Sequence, residues 1–483
     1  MTSSLPQTLG QALSERASAT PDRLALVGGA RSWTWAALDA EVDRAADLLA
    51  AAGLSAGEVL GLLLRKRPEV VVAFLAVARL GALIAPLNYK LHPTRLAEQL
   101  AAVGPRLLLT EAAFEAHLGG RPALFVGEGA PAGAGRWGAP APTGPRPWVG
   151  PDTPVYLNTT SGTTGEPKAA LTTHGQILAN AALTNAALGF GEEEVFLGMF
   201  SVFAHPHELF HRCLLTGATA VILDTLSPRI TAAALAQHRV TWMMAVPSLY
   251  EMMLDHLPRE PIRSLRVMES GGAVAHPGTR ERVEAALGGR FVPVWGSTET
   301  VGVALVEEDG GARIIDGYEG KLVGRDGSAP PAGEQGELWL RGPGVVRSYW
   351  GGGSEGSFSE GWYRTGDLFR RLDGEHLRFC GRITHMMKVG GIRVHPLEIE
   401  RVLLAHPAVR EAAVLPDQDQ VRGEVPRAVV SLSAPTTPAA LLLWCRGHLA
   451  GYKVPRKIEI VDDLPKLPSG KIDRVQLLEE AGR

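Results

Sequence analysis

A run of hydroxyl and glycine residues after a short apolar segment is the clearest chemical signal in this sequence. Residues 156–170 read Tyr-Leu-Asn-Thr-Thr-Ser-Gly-Thr-Thr-Gly-Glu-Pro-Lys-Ala-Ala. Backbone N–H groups and hydroxyls in such a loop can converge on an anion, and Lys168 adds a positive charge. The glycine spacing differs from that of the P-loop. From these residues alone, a polyphosphate site and a plain surface loop are equally good interpretations.

Four further stretches carry groups suited to binding a nucleotide, and the first two of them follow predicted strands at residues 265–269 and 291–295. They are Ser270-Gly271-Gly272-Ala273, Trp295-Gly296-Ser297-Thr298-Glu299-Thr300, Trp362 to Leu368, and Phe379 to Pro396. Loops at the carboxyl ends of neighbouring parallel strands are where open α/β sheets bind ligands. A carboxylate such as Asp367 is well suited to accept hydrogen bonds from two vicinal ribose hydroxyls.

A histidine-rich segment invites a metal interpretation. Residues 207–211 spell His-Glu-x-x-His, the zincin pattern, in which His207 and His211 would share a helix face and bind zinc. No third ligand or zincin-like surrounding is evident downstream. We therefore favour a pocket lined by His205 and His207 over a zinc site, and a solvated imidazole at the start of a helix stays open for His211.

Taken together and in this order, the motifs resemble those of the acyl-adenylate-forming superfamily, which includes acyl-CoA synthetases and the adenylation domains of peptide synthetases. The resemblance covers nearly the whole chain and implies ATP, Mg²⁺ and CoA, or the phosphopantetheine of a carrier protein, as cofactors. It implies nucleotide or CoA contacts for residues Thr160, Ser161, Gly162, Thr163, Thr164, Gly165, Lys168, Gly271, Gly272, Trp295, Gly296, Ser297, Asp367, Arg382, Gly390 and Gly391.

The same resemblance assigns the catalytic and substrate roles. Thr298 would bind phosphate, Glu299 magnesium, and Lys471 would bridge the carboxylate and the α-phosphate. The acid pocket would be lined by His205, His207, Val246, Ala273, Val301 and Gly302. Two departures stand out: Trp295 replaces the usual Tyr or Phe, and Thr384 stands at the pivot position that usually holds Asp or Lys.

The elements that must position these groups are read from hydrophobic patterning. Residues 36–52 predict an amphipathic helix, and residues 69–80 another, alternating with short apolar runs such as 59–64 and 83–86. This alternation indicates a parallel sheet covered on both sides by helices. Residues 127–154, rich in Gly, Pro and Ala, predict a surface connector.

Length and composition bound the architecture. The 483 residues exceed the ~250–300 at which a single core stops growing, so we expect at least two domains. The fold expected is α/β: a large domain (residues 1–381) of layered, mostly parallel sheets flanked by helices, and a small mobile α+β domain (residues 382–483). The second domain would carry Lys471 on a loop stiffened by prolines.

Composition also restricts partners and compartment. A net charge of −3 gives no footprint for nucleic acid or an anionic membrane, and no apolar run is long enough to span one. The three dispersed cysteines and the absence of a signal-peptide pattern favour the cytoplasm. A homodimer stays open.

The predicted activity is ATP-dependent activation of an aryl or modest-sized carboxylic acid, with pyrophosphate release and transfer to CoA. An α-amino acid is disfavoured because the segment Ser201 to His205 lacks the Asp that amino-acid-activating members carry. The alternatives are loading of a carrier protein, activation of a non-carboxylate oxyanion for transfer to an amine, and ATP binding without turnover.

Overall fold

The computed structural model describes residues 5–159, 168–258, 262–275, 278–308, 310–389, 392–419, 423–467 and 471–481. The helices are α1 Leu9–Ala19, α2 Trp35–Ala51, α3 Pro68–Leu80, α4 Pro93–Val103, α5 His174–Leu188, α6 His211–Thr216, α7 Pro228–Gln237, α8 Pro247–Leu254, α9 Thr279–Leu287, α10 Pro396–Leu404, α11 Pro438–His448 and α12 Arg474–Ala481. Short 3₁₀ turns occupy Ala112–His117, Pro206–Leu209, Thr298–Thr300 and Ile383–His385.

The strands, in chain order, are β1 Leu24–Gly28, β2 Arg31–Thr34, β3 Val59–Leu63, β4 Leu83–Pro86, β5 Leu107–Thr110, β6 Ala123–Phe125, β7 Gly135–Arg136, β8 Pro154–Thr159, β9 Ala169–Thr173, β10 Val195–Gly198, β11 Thr219–Ile222, β12 Trp242–Ala245, β13 Val267–Ser270, β14 Arg290–Ser297, β15 Gly302–Glu308, β16 Gly311–Ile314, β17 Glu319–Val323, β18 Gln335–Arg341, β19 Phe358–Ser359, β20 Trp362–Arg371, β21 Leu377–Arg382, β22 Met387–Val389, β23 Ile392–Val394, β24 Val409–Asp419, β25 Gly423–Leu432 and β26 Lys457–Val461.

Three sheets organise these strands. The first has the order β7-β6-β5-β3-β4-β8-β9 and is parallel except for the β8–β9 pair. The second has the order β17-β18-β20-β21-β16-β15-β14-β13-β12-β10-β11-β1-β2, with β19 beside β20. Its run from β14 to β1 is parallel, and its other pairs are antiparallel.

Helix α3 lies at the heart of the main core. Almost every side chain from Val70 to Leu80 is buried, and the same core cluster joins residues of both large sheets. A helix that is apolar all round must be covered on all sides. The predicted helix at residues 69–80 is therefore confirmed as the layer between two sheets.

The C-terminal part has its own sheet and its own core. Strands β23-β22-β25-β24 run antiparallel, and β26 adds a parallel edge to β25. Helices α10 and α11 close a separate hydrophobic cluster over this sheet. The α/β class with a separate C-terminal domain is thus confirmed. Among the described residues, none of the helices combines the length and apolar character that crossing a lipid bilayer requires.

Candidate active site

A short turn at the end of β14 presents Thr298 and Glu299. The hydroxyl of Ser297 accepts a hydrogen bond from the Thr300 N–H at 3.2 Å, and the Thr300 hydroxyl accepts one from the Ser297 N–H at 2.9 Å. This reciprocal cap satisfies donors that the turn would otherwise leave free. The next residue, Val301, has φ 58°, which is unusual for a β-branched residue. The turn is therefore held in one defined conformation.

Two tyrosines fix the carboxylate of Glu299. Tyr349 donates its phenolic hydrogen to one carboxylate oxygen at 2.7 Å, and Tyr363 donates to the other at 2.9 Å. Burial raises the pKa of Tyr363, and the negative charge of Glu299 adds to the rise, so this phenol keeps its hydrogen. The remaining lone pairs of a fixed carboxylate are suitable ligands for Mg²⁺, which prefers oxygen. The donor set at Glu299 therefore fits the predicted magnesium ion.

Lys168 reaches the same part of the cleft. Its ammonium donates to the carbonyl oxygen of Gly353 at 3.1 Å and lies 5.1 Å from the centre of the Tyr349 ring. The adjoining backbone is tied together as well, because the Trp350 N–H donates to the Ala169 carbonyl at 2.7 Å. The predicted phosphate-binding residues Thr160 to Gly165 lie outside the described residues.

Asp367 has a protein partner on each carboxylate oxygen. The Trp295 indole N–H donates to Oδ2 at 2.9 Å, and Arg382 Nε donates to Oδ1 at 2.7 Å. Asp367 and Arg382 are paired across β20 and β21, which places their side chains together. Burial raises the pKa of Asp367 and outweighs the opposite effect of Arg382 and Trp295. The ribose-binding carboxylate that the sequence predicts is thus held rigidly, with lone pairs left for a ligand.

The side chain of Lys471 enters this cleft from the C-terminal domain. The backbone bridge between Lys466 and Ile472 forms the base of its loop. A Cβ atom placed on Gly272, which has φ 81°, would lie only 3.1 Å from Lys471 Cε and 3.8 Å from Nζ. Glycine is therefore required here both for its backbone conformation and for the close approach of the lysine.

Electrostatic effects connect these groups into one cleft. Lys471 is exposed as a residue, yet desolvation of its ammonium and the charge of Arg382 lower its pKa, while Asp367 opposes the shift. Burial lowers the pKa of Arg382, the Asp367 carboxylate raises it, and Glu299 and Tyr363 add to the rise. The structure therefore brings the predicted residues Glu299, Asp367, Arg382 and Lys471 together.

The predicted acid-binding histidines lie deeper. His205 contacts Asn158, with 3.3 Å between its Nδ1 and the amide nitrogen, and His207 is fully buried with its Nε2 2.9 Å from the Val301 carbonyl oxygen. Burial lowers the pKa of His205 to about 3, and the charges of His207 and Lys471 contribute. Burial likewise lowers the pKa of His207 to about 4. Both imidazoles are therefore neutral near pH 7.

The described residues 205–216 do not have the helical arrangement of histidines that a zincin requires. His207 lies in the 3₁₀ turn Pro206–Leu209, and His211 begins the separate helix α6, so the two do not share a helix face. The open interpretation of His211 as a solvated imidazole was wrong, because His211 is 2% exposed. The sequence did not predict this burial, because charged and polar residues dominate the stretch His-Glu-Leu-Phe-His-Arg and such residues are mostly exposed.

The other predicted substrate residues occupy the walls around these groups. Val246 caps α8 and would lie 3.7 Å from a Cβ on Gly272, while Ala273 is exposed beside it. Gly302, with φ 139°, follows Val301; a Cβ there would lie 2.6 Å from Asn180 Oδ1 and 3.0 Å from Glu208 Oε1. Gly271 and Gly296 are in the neighbouring strand-end segments, whereas Gly390 and Gly391 lie outside the described residues.

Sequence reasoning missed the two tyrosines that hold Glu299. Tyr363 precedes Asp367 by four residues on β20, and the two-residue period of a strand could have placed both on one face. Tyr349 lies in an irregular segment after β18, where no periodicity marks it. Long-range contacts of this kind need the folded chain.

Comparison with known proteins agrees with this geometry. Residues 13–350 match the AMP-binding enzyme family, and residues 398–471 match the AMP-binding enzyme C-terminal domain. A feruloyl-CoA synthase from Amycolatopsis sp. is 32% identical over 485 residues, which cover 96% of this chain and 97% of that enzyme. The chain belongs to the AMP-binding enzyme family.

Two solved structures extend the likeness to the whole fold. The anthranilate CoA ligase AuaEII in complex with anthranoyl-AMP gives a TM-score of 0.89 at 25% identity and covers 99% of this chain and 98% of its own. A second structure is the o-succinylbenzoate coenzyme A synthetase (MenE) of Bacillus subtilis in complex with ATP and a magnesium ion. It gives a TM-score of 0.85 at 30% identity and covers 97% of this chain and 99% of its own. The predicted superfamily is therefore confirmed, and the predicted enzyme class, an AMP-forming acid–thiol ligase, agrees with it.

Proposed function

We propose that this enzyme activates an aryl or modest-sized carboxylic acid with ATP, forms an acyl-adenylate with release of pyrophosphate, and transfers the acyl group to the thiol of CoA. The observation that carries the proposal is the position of Lys471 against Gly272, in one cleft with Asp367 and Arg382. Similarity to CoA ligases over nearly the whole chain supports it.

In the first step, a carboxylate oxygen attacks the α-phosphorus of ATP and the bond to pyrophosphate breaks. Negative charge accumulates on the phosphoryl oxygens, and fixed positive groups stabilise it without reorganisation. Lys471 and Arg382 are the cations placed to do this, while Asp367 accepts hydrogen bonds from the ribose and Trp295 flanks the base. Thr298 donates a hydrogen bond to phosphate from the end of β14.

Magnesium would be held by Glu299 and by the phosphate oxygens of the nucleotide. When bound, it supplies positive charge to those oxygens. Tyr349 and Tyr363 hold the Glu299 carboxylate in one orientation, so the side chain does not have to be ordered when the ion binds. Lys168 and the hydroxyl-rich residues Thr160, Ser161, Gly162, Thr163, Thr164 and Gly165 are proposed to hold the outer phosphates.

In the second step, the thiol attacks the acyl carbon, AMP leaves, and the thiol proton is released. We propose that residues 382–483 turn as a domain relative to residues 1–381 between the two steps, because Lys471 must leave before the thiol can approach. Gly390 and Gly391, without side chains, are proposed to line the path of the pantetheine arm. Thr384, at the hinge, sets how readily the domain turns.

Acid-dependent pyrophosphate release tests the first step, and the acceptor is tested separately. A panel of acids is incubated with ATP and Mg²⁺, and then with CoA, with a phosphopantetheinylated carrier protein, or with an amine. Formation of the CoA thioester supports the proposal, whereas exclusive loading of the carrier or exclusive amide formation would assign the alternative acceptor. ATP binding without acid-dependent release of pyrophosphate, for every acid in the panel, would refute the enzymatic function.

The three cysteines are free thiols, which is consistent with the proposed cytoplasmic location.

A further inference from the structure

The hydrogen bond of His207 determines its tautomer. Its Nε2 lies 2.9 Å from the carbonyl oxygen of Val301, and a carbonyl can only accept, so Nε2 carries the hydrogen. Burial lowers the pKa of this histidine to about 4, and the ring is therefore neutral near pH 7. It follows that Nδ1 is a lone pair that can accept one hydrogen bond.

Among the described residues, that lone pair has no hydrogen-bond donor. Nδ1 of His207 is buried, and no group in the described part of the chain forms a hydrogen bond to it. A buried acceptor left without a donor is destabilising, and native proteins seldom leave one unpaired. Such an atom, in a residue predicted to line the acid pocket, is suited to a donor that arrives with the ligand.

His207 lies beside His205, the other histidine predicted to line the acid pocket. Its ring centre is 6.1 Å from that of His205, and the pKa of His205 is in turn lowered in part by the charge of Lys471. His205 is therefore near both His207 and the side chain of Lys471. The ring of Tyr156 also packs against His207, with 5.2 Å between the two ring centres.

A metal ion is the competing occupant. His205, His207 and Glu208 each offer one ligand atom, and these atoms lie within 4.8 Å of one another. Burial raises the pKa of Glu208 to about 8, however, so at pH 7 it is mainly a neutral carboxylic acid. Neutral imidazoles can bind a metal ion, but the carboxyl of this set is protonated and the positive charge of Lys471 acts on His205, so the three residues form a poor cation site. The same charge disfavours an ammonium group.

We propose that His207 Nδ1 selects the substrate by accepting a hydrogen bond from a neutral donor, a hydroxyl or an aryl amine, carried on the acid that the enzyme activates. This inference rests on the proposed function and narrows its substrate to hydroxy- or amino-substituted aryl acids. A site with such a buried acceptor discriminates against analogues without the donor, because binding them leaves the acceptor unpaired.

Matched pairs of acids test the proposal in the wild-type enzyme. At each ring position, hydroxy- and aminobenzoic acids are compared with the methylbenzoic acid of similar size, and benzoic acid is the reference. We expect kcat/KM for acid-dependent pyrophosphate release to favour the best hydroxy or amino isomer over its methyl partner by at least about tenfold. Equal rates at every position, or a preference for methyl, would overturn the inference while leaving the acid-activating function intact. No turnover of any acid would refute both.

Two substitutions locate the preference at the proposed atom. His207→Gln can keep a donor to the Val301 carbonyl but has no acceptor at the position of Nδ1, and His207→Leu removes both groups. Both are expected to bring the hydroxy-to-methyl ratio close to one. A ratio unchanged in His207→Gln would contradict the assignment, and the wild-type panel remains decisive if either variant misfolds.

His174 supplies a matched control. It is also a buried histidine with one unpartnered ring nitrogen in the described structure, and its Nδ1 accepts a hydrogen bond from the Leu9 N–H at 3.3 Å. His174→Asn keeps an acceptor for that N–H and lies outside the cleft. It is expected to retain the wild-type ratio, whereas a loss as large as that of His207→Gln would indicate a general effect of removing buried histidines.

Discussion

The two halves of the cleft are built in different ways. On the nucleotide side, both oxygens of Asp367 and both oxygens of Glu299 already have protein donors. On the acid side, the Nδ1 atoms of His207 and His211 are buried and have no hydrogen-bond partner in the described part of the chain. The comparison indicates that the protein itself orients the groups proposed to bind ATP, whereas the proposed acid side leaves polar atoms for the ligand to satisfy.

The supporting elements explain this contrast. Trp295, Asp367 and Arg382 sit on β14, β20 and β21, where sheet hydrogen bonds fix the backbone. The histidines follow β10 in a segment of turns that ends at the short helix α6. Sites on strands are more rigid than sites on loops. Substrate range can therefore vary along the turns while the strands hold the nucleotide groups in place.

The largest effect is expected from Lys471→Ala. Removing a cation aimed at the developing charge should lower kcat for acid-dependent pyrophosphate release by about 10²–10³-fold. Lys466→Ala is the control, since Lys466 stands on the same loop but pairs with Glu411 at 2.8 Å. Wild-type activity in Lys471→Ala, measured with a saturating acid, would show that the lysine has no role in the chemistry.

Glu208, beside the histidines, is expected to make the free energy of unfolding depend on pH. Glu208 has a pKa of about 8 in the folded protein against 4.5 as its ordinary value, so the folded state binds more protons between these values. The free energy of unfolding contributed by this group is fully present below about pH 4.5 and is lost as the pH rises to about 8. Glu208→Gln removes that loss and should gain about 2–4 kcal/mol relative to wild type between pH 5 and pH 8.5.

Urea unfolding at several pH values measures this difference. Glu115→Gln, at an exposed position, serves as the control and should follow the wild-type pH dependence. Parallel curves for Glu208→Gln and wild type would mean that Glu208 is ionised in the folded protein, and the neutral character argued for the acid side would be wrong.

An intermediate effect is expected from Asp367→Asn. The substitution removes the charged acceptor proposed for the ribose, which is worth about 1.5–2 kcal/mol and should raise KM for ATP about 10- to 30-fold. Asp373→Asn is the control, because Asp373 is exposed and pairs only locally with His376 at 2.7 Å. An unchanged KM for ATP would show that Asp367 does not contribute to nucleotide binding.

The smallest effect is expected from Trp295→Phe. The flat ring is kept but the indole donor to Asp367 is lost, at about 1 kcal/mol, so KM for ATP should rise about fivefold. Trp339→Phe removes a similar indole-to-carboxylate bond, to Glu337 at 2.9 Å, and should leave KM unchanged. In the double variant with Asp367→Asn the two effects should be less than additive; full additivity would show that Trp295 does not act through Asp367.

Much of the fold could be predicted from local signals. The helix predicted at residues 36–52 is observed as Trp35–Ala51, because the Thr34 hydroxyl caps its first turn and its buried residues repeat at helical spacing. The motifs shared with the superfamily, rather than periodicity, predicted one cleft for Glu299, Asp367 and Arg382. In these cases the local pattern and the tertiary structure agree.

The rest depends on contacts that the sequence does not encode locally. Glu208 lies near Gly302 although 94 positions separate them, and nothing in its neighbourhood predicts a buried, neutral carboxyl. Asn180 donates to the carbonyls of Thr300 and Val303 and to the Tyr318 hydroxyl, but sits on a helix with no functional motif. Charged and polar residues are mostly exposed, so the default expectation for them was wrong here.

The backbone of Val301 connects the two halves of the cleft. Its left-handed backbone, costly for a β-branched side chain, follows the turn that carries Glu299, and its carbonyl fixes the ring of His207. A substitution that relaxes this backbone, such as Val301→Gly, should therefore affect both the carboxylate proposed to bind magnesium and the histidine proposed to select the acid. Attempts to change the substrate range without losing turnover should therefore begin at the histidine segment and leave this one backbone joint as it is.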